Sequence, residues 1–270
     1  MAVAVERERI PLSIAIRKEF LNYQRLAQVG FIVGVLVIWE IVGNRLGNFF
    51  LAPPSSLIQA TGEVLESGEL FSALFDSVKS LLAGFGLAAA FGISLGFLMG
   101  WYKPVAKVMD PFINAAYVVP IAALVPMLII WFGLGLTSRI LTIFLFCVFE
   151  VLVSTYTGVR NVEPMLIEVA RSFGAKRVKL FRKVVFYASL PYIFAGLRMG
   201  ASRAIKGMVV AELLFAVTGL GGEIQNAANY YRTDKVFVYV IVIAILGVVL
   251  SGAIQLAERL TMPWTQERSK

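Results

Sequence analysis

Six apolar runs near membrane length, at 26–43, 77–100, 112–132, 140–157, 191–217 and 236–256, restrict this chain more than any other feature of its sequence. Roughly 20 residues of α-helix are needed to cross about 30 Å of hydrocarbon, and a backbone inside lipid must satisfy its own polar groups. The runs therefore predict an all-α integral membrane protein with about six transmembrane helices. Hydrophobic residues make up 59% of the chain, against about 45–50% in soluble domains. There is no His, and the lone Cys147 lies inside an apolar run, which removes imidazole general-base chemistry, disulfides and ordinary zinc sites. No metal site and no catalytic residue is expected.

The net charge of +8 follows the connections between the runs. Lys and Arg occur in the N-terminal tail (Arg7, Arg9, Arg17, Lys18, Arg25), in the Lys103/Lys107 turn, in the stretch 160–183 and in the C-terminal tail from Arg259, whereas 46–76 contains none. Cations retained on the cytoplasmic side put both termini inside. Clustering beside membrane segments, without interleaved aromatics, also argues against a nucleic-acid surface. The expected layout is a cytoplasmic tail over 1–25, a transmembrane domain over 26–260 with an inner loop at 160–186, and a tail over 261–270. No cleavage pattern follows the first run, so a removed signal peptide is not expected. In the outer loop, Pro53-Pro-Ser-Ser56 predicts a short interfacial helix capped by Ser55 or Ser56.

Within the spans, Ser80, Gly84, Ala88, Gly92, Gly96 and Gly100 recur every fourth residue and lay a strip of small side chains along one helix face. Gly196, Gly200 and Ala204 repeat the device in the fifth span. Such strips let helices approach closely. Pro111, Pro120 and Pro126 predict kinks in the third span, which makes it a candidate pathway lining, although prolines are also common in membrane helices. Charges in the runs need partners, water or a cavity. Counting depth from the inner loop predicts a Glu150–Arg198 contact near the inner gate. Arg203, Lys206 and Glu212 either face a wet cavity that admits an anion or pair among themselves on a tilted helix. The run Thr218-Gly-Leu-Gly-Gly222 is expected to end that helix, with a short surface helix over 223–229 before the last span.

The inner loop reads as a docking element. Leu166, Val169, Ala170 and Phe173 fall at i, i+3, i+4 and i+7, giving an apolar helical stripe that ends at Gly174. After the glycine, Lys176, Arg177, Lys179, Arg182 and Lys183 surround Val178, Leu180 and Phe181, which predicts a second short amphipathic helix.

These residues resemble the EAA loop of ATP-binding-cassette (ABC) importer permeases, with Glu168-Val-Ala170, Gly174 and Val184 at the motif positions. The resemblance extends through Pro53-Pro-Ser-Ser56, Gly92-Ile-Ser-Leu-Gly96, Asp110-Pro111, Pro120, Pro126-Met-Leu-Ile-Ile-Trp-Phe-Gly-Leu-Gly135, Gly196-Leu-Arg-Met-Gly200, Ala211-Glu212 and Gly219-Leu-Gly221 to the nitrate/sulfonate/taurine branch. Two departures stand out: Val169 is the second residue of the triplet, and Phe186-Tyr187 occupies the place of a Leu-Pro that comes later as Leu190-Pro191. The resemblance implies a type I importer fold in the bacterial cytoplasmic (inner) membrane. Two copies would enclose the path, with two cytoplasmic ATPase subunits and an extracytoplasmic substrate-binding protein as partners. The coupling residues would be Glu168, Ala170, Phe173, Gly174, Lys176, Arg177 and Phe181, with Phe173 or Phe181 filling the ATPase socket. Pro120, Pro126, Glu150, Arg198, Arg203, Lys206 and Glu212 would line or gate the path, and Gly84, Gly92, Gly96, Gly100, Gly196 and Gly200 would pack helices. No phosphate-binding Gly-x-x-x-x-Gly-Lys-[Ser/Thr] loop is present, so ATP and Mg would be bound by the partner and no cofactor by this chain. The solute would be small and anionic. A self-sufficient channel or ion-coupled transporter would use the same intramembrane charges and would transport without an ATPase.

Overall fold

Small residues decide where the helices of this chain meet. In the computed structural model, which describes residues 12–215 and 218–263 with side chains over 26–214 and 218–263, the strip on α3 (Glu69–Trp101) runs along α6 (Leu136–Arg160). A Cβ at Gly96 would come within 2.7 Å of Thr155, and one at Gly100 within 2.4 Å of Val159. Gly84 and Gly92 sit as tightly on Ile143 and on the backbone at Val148. On a neighbouring face of α6 lies α9 (Phe186–Phe215), whose Gly196 and Gly200 abut Ser154 and Val151. This three-helix slab carries the main core, with Leu81, Ile143 and Met208 fully enclosed. Packing rather than apolar burial joins helices in lipid, and removing the Cβ brings the backbones into contact.

The other elements attach to that slab. α1 (Leu12–Leu46) extends the first span back into the stretch expected as tail and is exposed over most of 26–46. It is anchored at its outer end, where Trp39 Nε1 donates to the Ala52 carbonyl at 3.0 Å. The interfacial helix α2 (Pro54–Glu66) is not capped by Ser55 or Ser56, which lie inside its first turn. Its N-terminus is closed by Glu40 of α1, which accepts from the Ser55 N–H at 3.0 Å and from its hydroxyl at 2.7 Å.

The third span is not one kinked helix. α4 (Lys103–Val118) and α5 (Ile121–Phe132) meet at 97° about Val119-Pro120. Pro120 lacks an N–H and holds Val119 extended, whereas Pro111 and Pro126 are accommodated within α4 and α5. At about 1.5 Å per residue neither piece alone spans the hydrocarbon. Five other helices among the described residues are long and apolar enough to cross a bilayer, and the bent pair counts as a sixth if its two pieces form one span.

After α7 (Pro164–Ser172) and Gly174 the chain does not form an isolated amphipathic helix. α8 (Arg177–Leu180) passes through a π-helical turn (Phe181–Val185) straight into α9. Leu180, Val185 and Leu190 are all buried, so one apolar face continues across the junction and nothing ends the helix before Pro191, which lies inside it. At the far end, α10 (Gly219–Asn229) begins four residues before the expected surface helix. Its first turn, Gly219 to Gly222, is buried rather than exposed. α11 (Thr233–Thr261) completes the bundle. The expected N-terminal tail over 1–25, the C-terminal residues 264–270, and 215–217 at the end of the fifth expected span lie outside the described side chains.

Candidate functional site

The bend between α7 and α8 is built by a Schellman closure. The Ala175 N–H donates to the Ala170 carbonyl at 3.0 Å and the Gly174 N–H to that of Arg171 at 2.8 Å, with Gly174 at φ +76°. A side chain at that φ costs roughly 1–2 kcal/mol, which is why glycine stands there. The closure turns α7 so that Ile167 packs on the chain's own Val159, Val162 and Val185 and Ala170 is half-buried, while Met165, Leu166, Val169 and Phe173 point outward. Phe173 is 85% exposed. Glu168 is also exposed on this helix. Beyond the bend, Lys176, Lys179, Arg182 and Lys183 line an open groove of about 750 Å³ that contains no acidic side chain.

Two residues expected on the docking surface are used internally. Phe181 packs edge-on against Phe97 and Trp101, with ring centroids at 5.3 and 5.1 Å, and so cannot fill a partner's socket. Arg177 lies over the Tyr102 ring at 5.0 Å, which ties it to the end of α3. Phe173, Val178 and the free cations remain as the outward surface.

At membrane depth the expected Glu150–Arg198 contact does not form. Glu150 pairs with Arg203 at 3.1 Å, and Arg198 pairs with Glu258 of α11 at 2.6 Å. The depth count is close, since Gly196 and Gly200 lie beside the backbone at Glu150 and Cys147. The face is wrong. At 100° per residue Arg198 sits about 200° from Gly196, on the side away from α6, whereas Arg203 lies about 60° from the Gly200 direction. The Glu150–Arg203 pair borders a cleft of about 290 Å³ formed where α4 breaks at Val119-Pro120, with Tyr117 and Phe146 on its walls. Lys206, one turn further along the same exposed face of α9, has no ion-pair partner among the described residues.

Glu212 neither lines a wet cavity nor pairs with Arg203 or Lys206. It is fully buried, accepts from the Ser77 hydroxyl at 2.8 Å and from the Gly221 N–H at 2.9 Å, and lies 3.9 Å from Arg139. The Leu220 N–H donates to the same Ser77 oxygen at 2.9 Å. One carboxylate and one hydroxyl thus satisfy the first turn of α10 and staple it to α3 and α9.

Residues 88–262 match the family of binding-protein-dependent transport system inner membrane components. The chain belongs to that family. It is 35% identical over 231 residues to a "Probable ABC transporter permease protein" of Brucella abortus, covering 86% of this chain and 92% of the relative. It is 32% identical over 254 residues to the taurine transport system permease protein TauC of Escherichia coli, covering 92% of each. Its fold matches a chain in the crystal structure of an amino acid ABC transporter with histidines, at a TM-score of 0.61 and 17% identity, over 74% of this chain and 97% of that one. The chain is therefore a multi-pass permease subunit of an ABC importer with the type I fold, and family membership implies an ATPase and a binding protein as partners.

Sequence reasoning did not find every residue on which this permease relies. Ser77 and Arg139 stand at the polar starts of two spans, and Gly219 is the trace they leave, since a Cβ there would strike the Glu212 carboxylate at 2.5 Å. On the outer surface Arg232 bridges Glu63 at 2.8 Å and Asp234 at 2.9 Å, joining α2 to the start of α11. The guanidinium holds the Glu63 carboxyl below its ordinary pKa, and Asp234 and then Glu63 raise that of Arg232. Residues 169 positions apart form this clasp, and no local pattern announces it.

Proposed function

We propose that two copies of this permease form the translocation path for a small anionic solute of the sulfonate, taurine or nitrate kind. An external binding protein delivers it, and two cytoplasmic ATPase subunits drive the cycle. The observation that carries this reading is the outward apolar stripe of α7, ending in Phe173 and a left-handed glycine and rimmed by unpaired cations, on a chain with no nucleotide-binding loop of its own. An exposed aromatic beside a rigid turn is the form of anchor that enters a partner's pocket. ATP and Mg stay on the ATPase, and this chain binds no cofactor. Cation retention supports a cytoplasmic inner loop and cytoplasmic termini in a bacterial inner membrane.

The charge on α9 supports the homodimer reading. A lone cation at the centre of a span costs about 2.5–3.5 kcal/mol or more in lipid, so the face carrying Arg203 and Lys206 belongs against an aqueous path shared with a second copy. Pro120 sits on that side at the helix break, whereas Pro126 is exposed within α5 and Glu212 serves the outer staple. Arg198, paired with Glu258, sets the angle between α9 and α11 near the inner end. ATP binding and release would bias the dimer between inward- and outward-open arrangements through the rigid α8–α9 helix.

The test is uptake into proteoliposomes that hold the full complex. Glu168→Lys and Gly174→Asp should leave the chain inserted and dimeric while separating ATP hydrolysis from uptake. Uncoupled variants would support the docking role. Wild-type uptake in both would overturn it, and uptake by the permease without ATPase subunits would establish a self-sufficient transporter instead.

A further inference from the structure

Resting on the reading of the α9 face as a wall of the path, we propose that Lys206 and Ser202 of α9 with Ser251 and Gln255 of α11 form an oxyanion cradle. It would take the sulfonate, nitrate or similar group of the solute as it crosses the membrane. These four side chains line one open groove of about 610 Å³ between the two helices. None of them has a hydrogen bond or ion pair among the described residues, so their polar groups are available to a ligand. Their chemistry is that of an anion receptor. An ammonium, two hydroxyls and a carboxamide present several donors, and no carboxylate lines the groove. Gly247 and Gly252 stand on its α11 side, and a Cβ at Gly252 would meet nothing within 4 Å, so there is room beside the donors.

The three cations of α9 divide by partner. Arg198 is neutralised by Glu258 and Arg203 by Glu150, while Lys206 carries an uncompensated charge. An anion gains more from an unpaired ammonium than from a guanidinium already held by a carboxylate. Selectivity for negative charge therefore lies at Lys206, with Ser202, Ser251 and Gln255 adding directional hydrogen bonds that suit a planar or tetrahedral oxyanion. Ser251 and Gln255 are four residues apart and so occupy one face of α11 a turn apart, which lets two oxygens of one ligand be held at once.

The complex of full-length chain, ATPase subunits and binding protein is reconstituted, and initial uptake of ethanesulfonate, taurine and nitrate is measured. Lys206→Gln should lower uptake of the transported anion about tenfold or more, as expected for losing a charge-assisted contact, and Lys206→Arg should restore most of it. Ser251→Ala combined with Gln255→Leu should cost about threefold. Uptake by Lys206→Gln at the wild-type rate would overturn the cradle while leaving the permease reading intact. Equal loss in Lys206→Gln and Lys206→Arg would also overturn it, because charge would not be the requirement. If wild type imports none of the three anions, the anionic reading fails and the cradle with it. Should Lys206→Gln fail to assemble with the ATPase, the Ser251/Gln255 pair decides by the same uptake readout, and unchanged transport there overturns the proposal.

Discussion

At the outer end of the bundle a carboxylate is fully enclosed and partnered on several sides: Glu212 accepts from Ser77 and Gly221 and faces Arg139. At the inner end the pattern is reversed. Phe173 points into open space, and four cations line a groove without an acid among them. Both ends turn on glycines at positive φ, Gly219 outside and Gly174 inside. One glycine makes room for a buried charge, and a Cβ at the other would meet nothing within 4 Å. The outer end is closed by the chain's own groups, whereas the inner end is left open. The proposed coupling to an ATPase accounts for this asymmetry, with a rigid far end and a near end that its partner would finish.

The contrast can be broken most severely at Glu212. Glu212→Leu leaves the Arg139 charge and the first N–H groups of α10 without partners, and breaking a buried pair in this way costs about 3–5 kcal/mol. Thermal unfolding of the purified chain should shift down strongly, with early hydrogen exchange over 219–222. An unchanged melting temperature would mean that the outer end is not closed by this group. Within the slab, Gly96→Leu forces a side chain into Thr155 and the Leu152 carbonyl, and overpacking of this kind costs about 1–3 kcal/mol. Its signature should be a loosened α3–α6 contact, read as new reactivity of the buried Cys147 thiol toward a membrane-permeant alkylating reagent. Persistent protection would show that the strip does not set the spacing.

The smallest effect belongs to the outer clasp. Because Arg232 depresses the pKa of Glu63, the contribution of Glu63 is fully present above the ordinary carboxyl range and is lost as pH falls through the depressed value. Hydrogen exchange at 232–235 should be flat near neutrality and rise below about pH 4, and Glu63→Gln should reduce that dependence to the part carried by Asp234, the other carboxylate on Arg232. A rise centred near pH 6 would implicate a different group.

What could be read from the sequence divides along the same line. The spans, the small-residue strips and the bent basic loop are periodic or local features, so residue types at fixed spacing carry them. The Glu150–Arg198 expectation used depth alone. Rotation about the helix was available as well, since Gly196 and Gly200 define the face toward α6 and Arg198 lies opposite it. The continuous α8–α9 helix was hidden because a π turn shifts the apolar spacing to Leu180, Val185 and Leu190, which no 3.6-residue template follows. Phe181 has the composition of a docking residue, and only the positions of Phe97 and Trp101 reveal that it is occupied. The partners of Glu212 and the Arg232 clasp join residues far apart in sequence, where one chain read alone carries no signal.

The central claim is that Phe173, not Phe181, is the aromatic anchor through which the ATPase moves these helices. The direct measurement is the affinity of the purified ATPase subunit for the permease in nanodiscs, compared across wild type, Phe173→Ala and Phe181→Ala. Phe173→Ala should weaken binding about 30-fold, as expected for losing a central aromatic anchor, without lowering the thermal stability of the permease. Phe181→Ala should lower that stability and leave the affinity of the folded fraction near wild type. Wild-type affinity in Phe173→Ala, or the larger affinity loss in Phe181→Ala, would contradict the account.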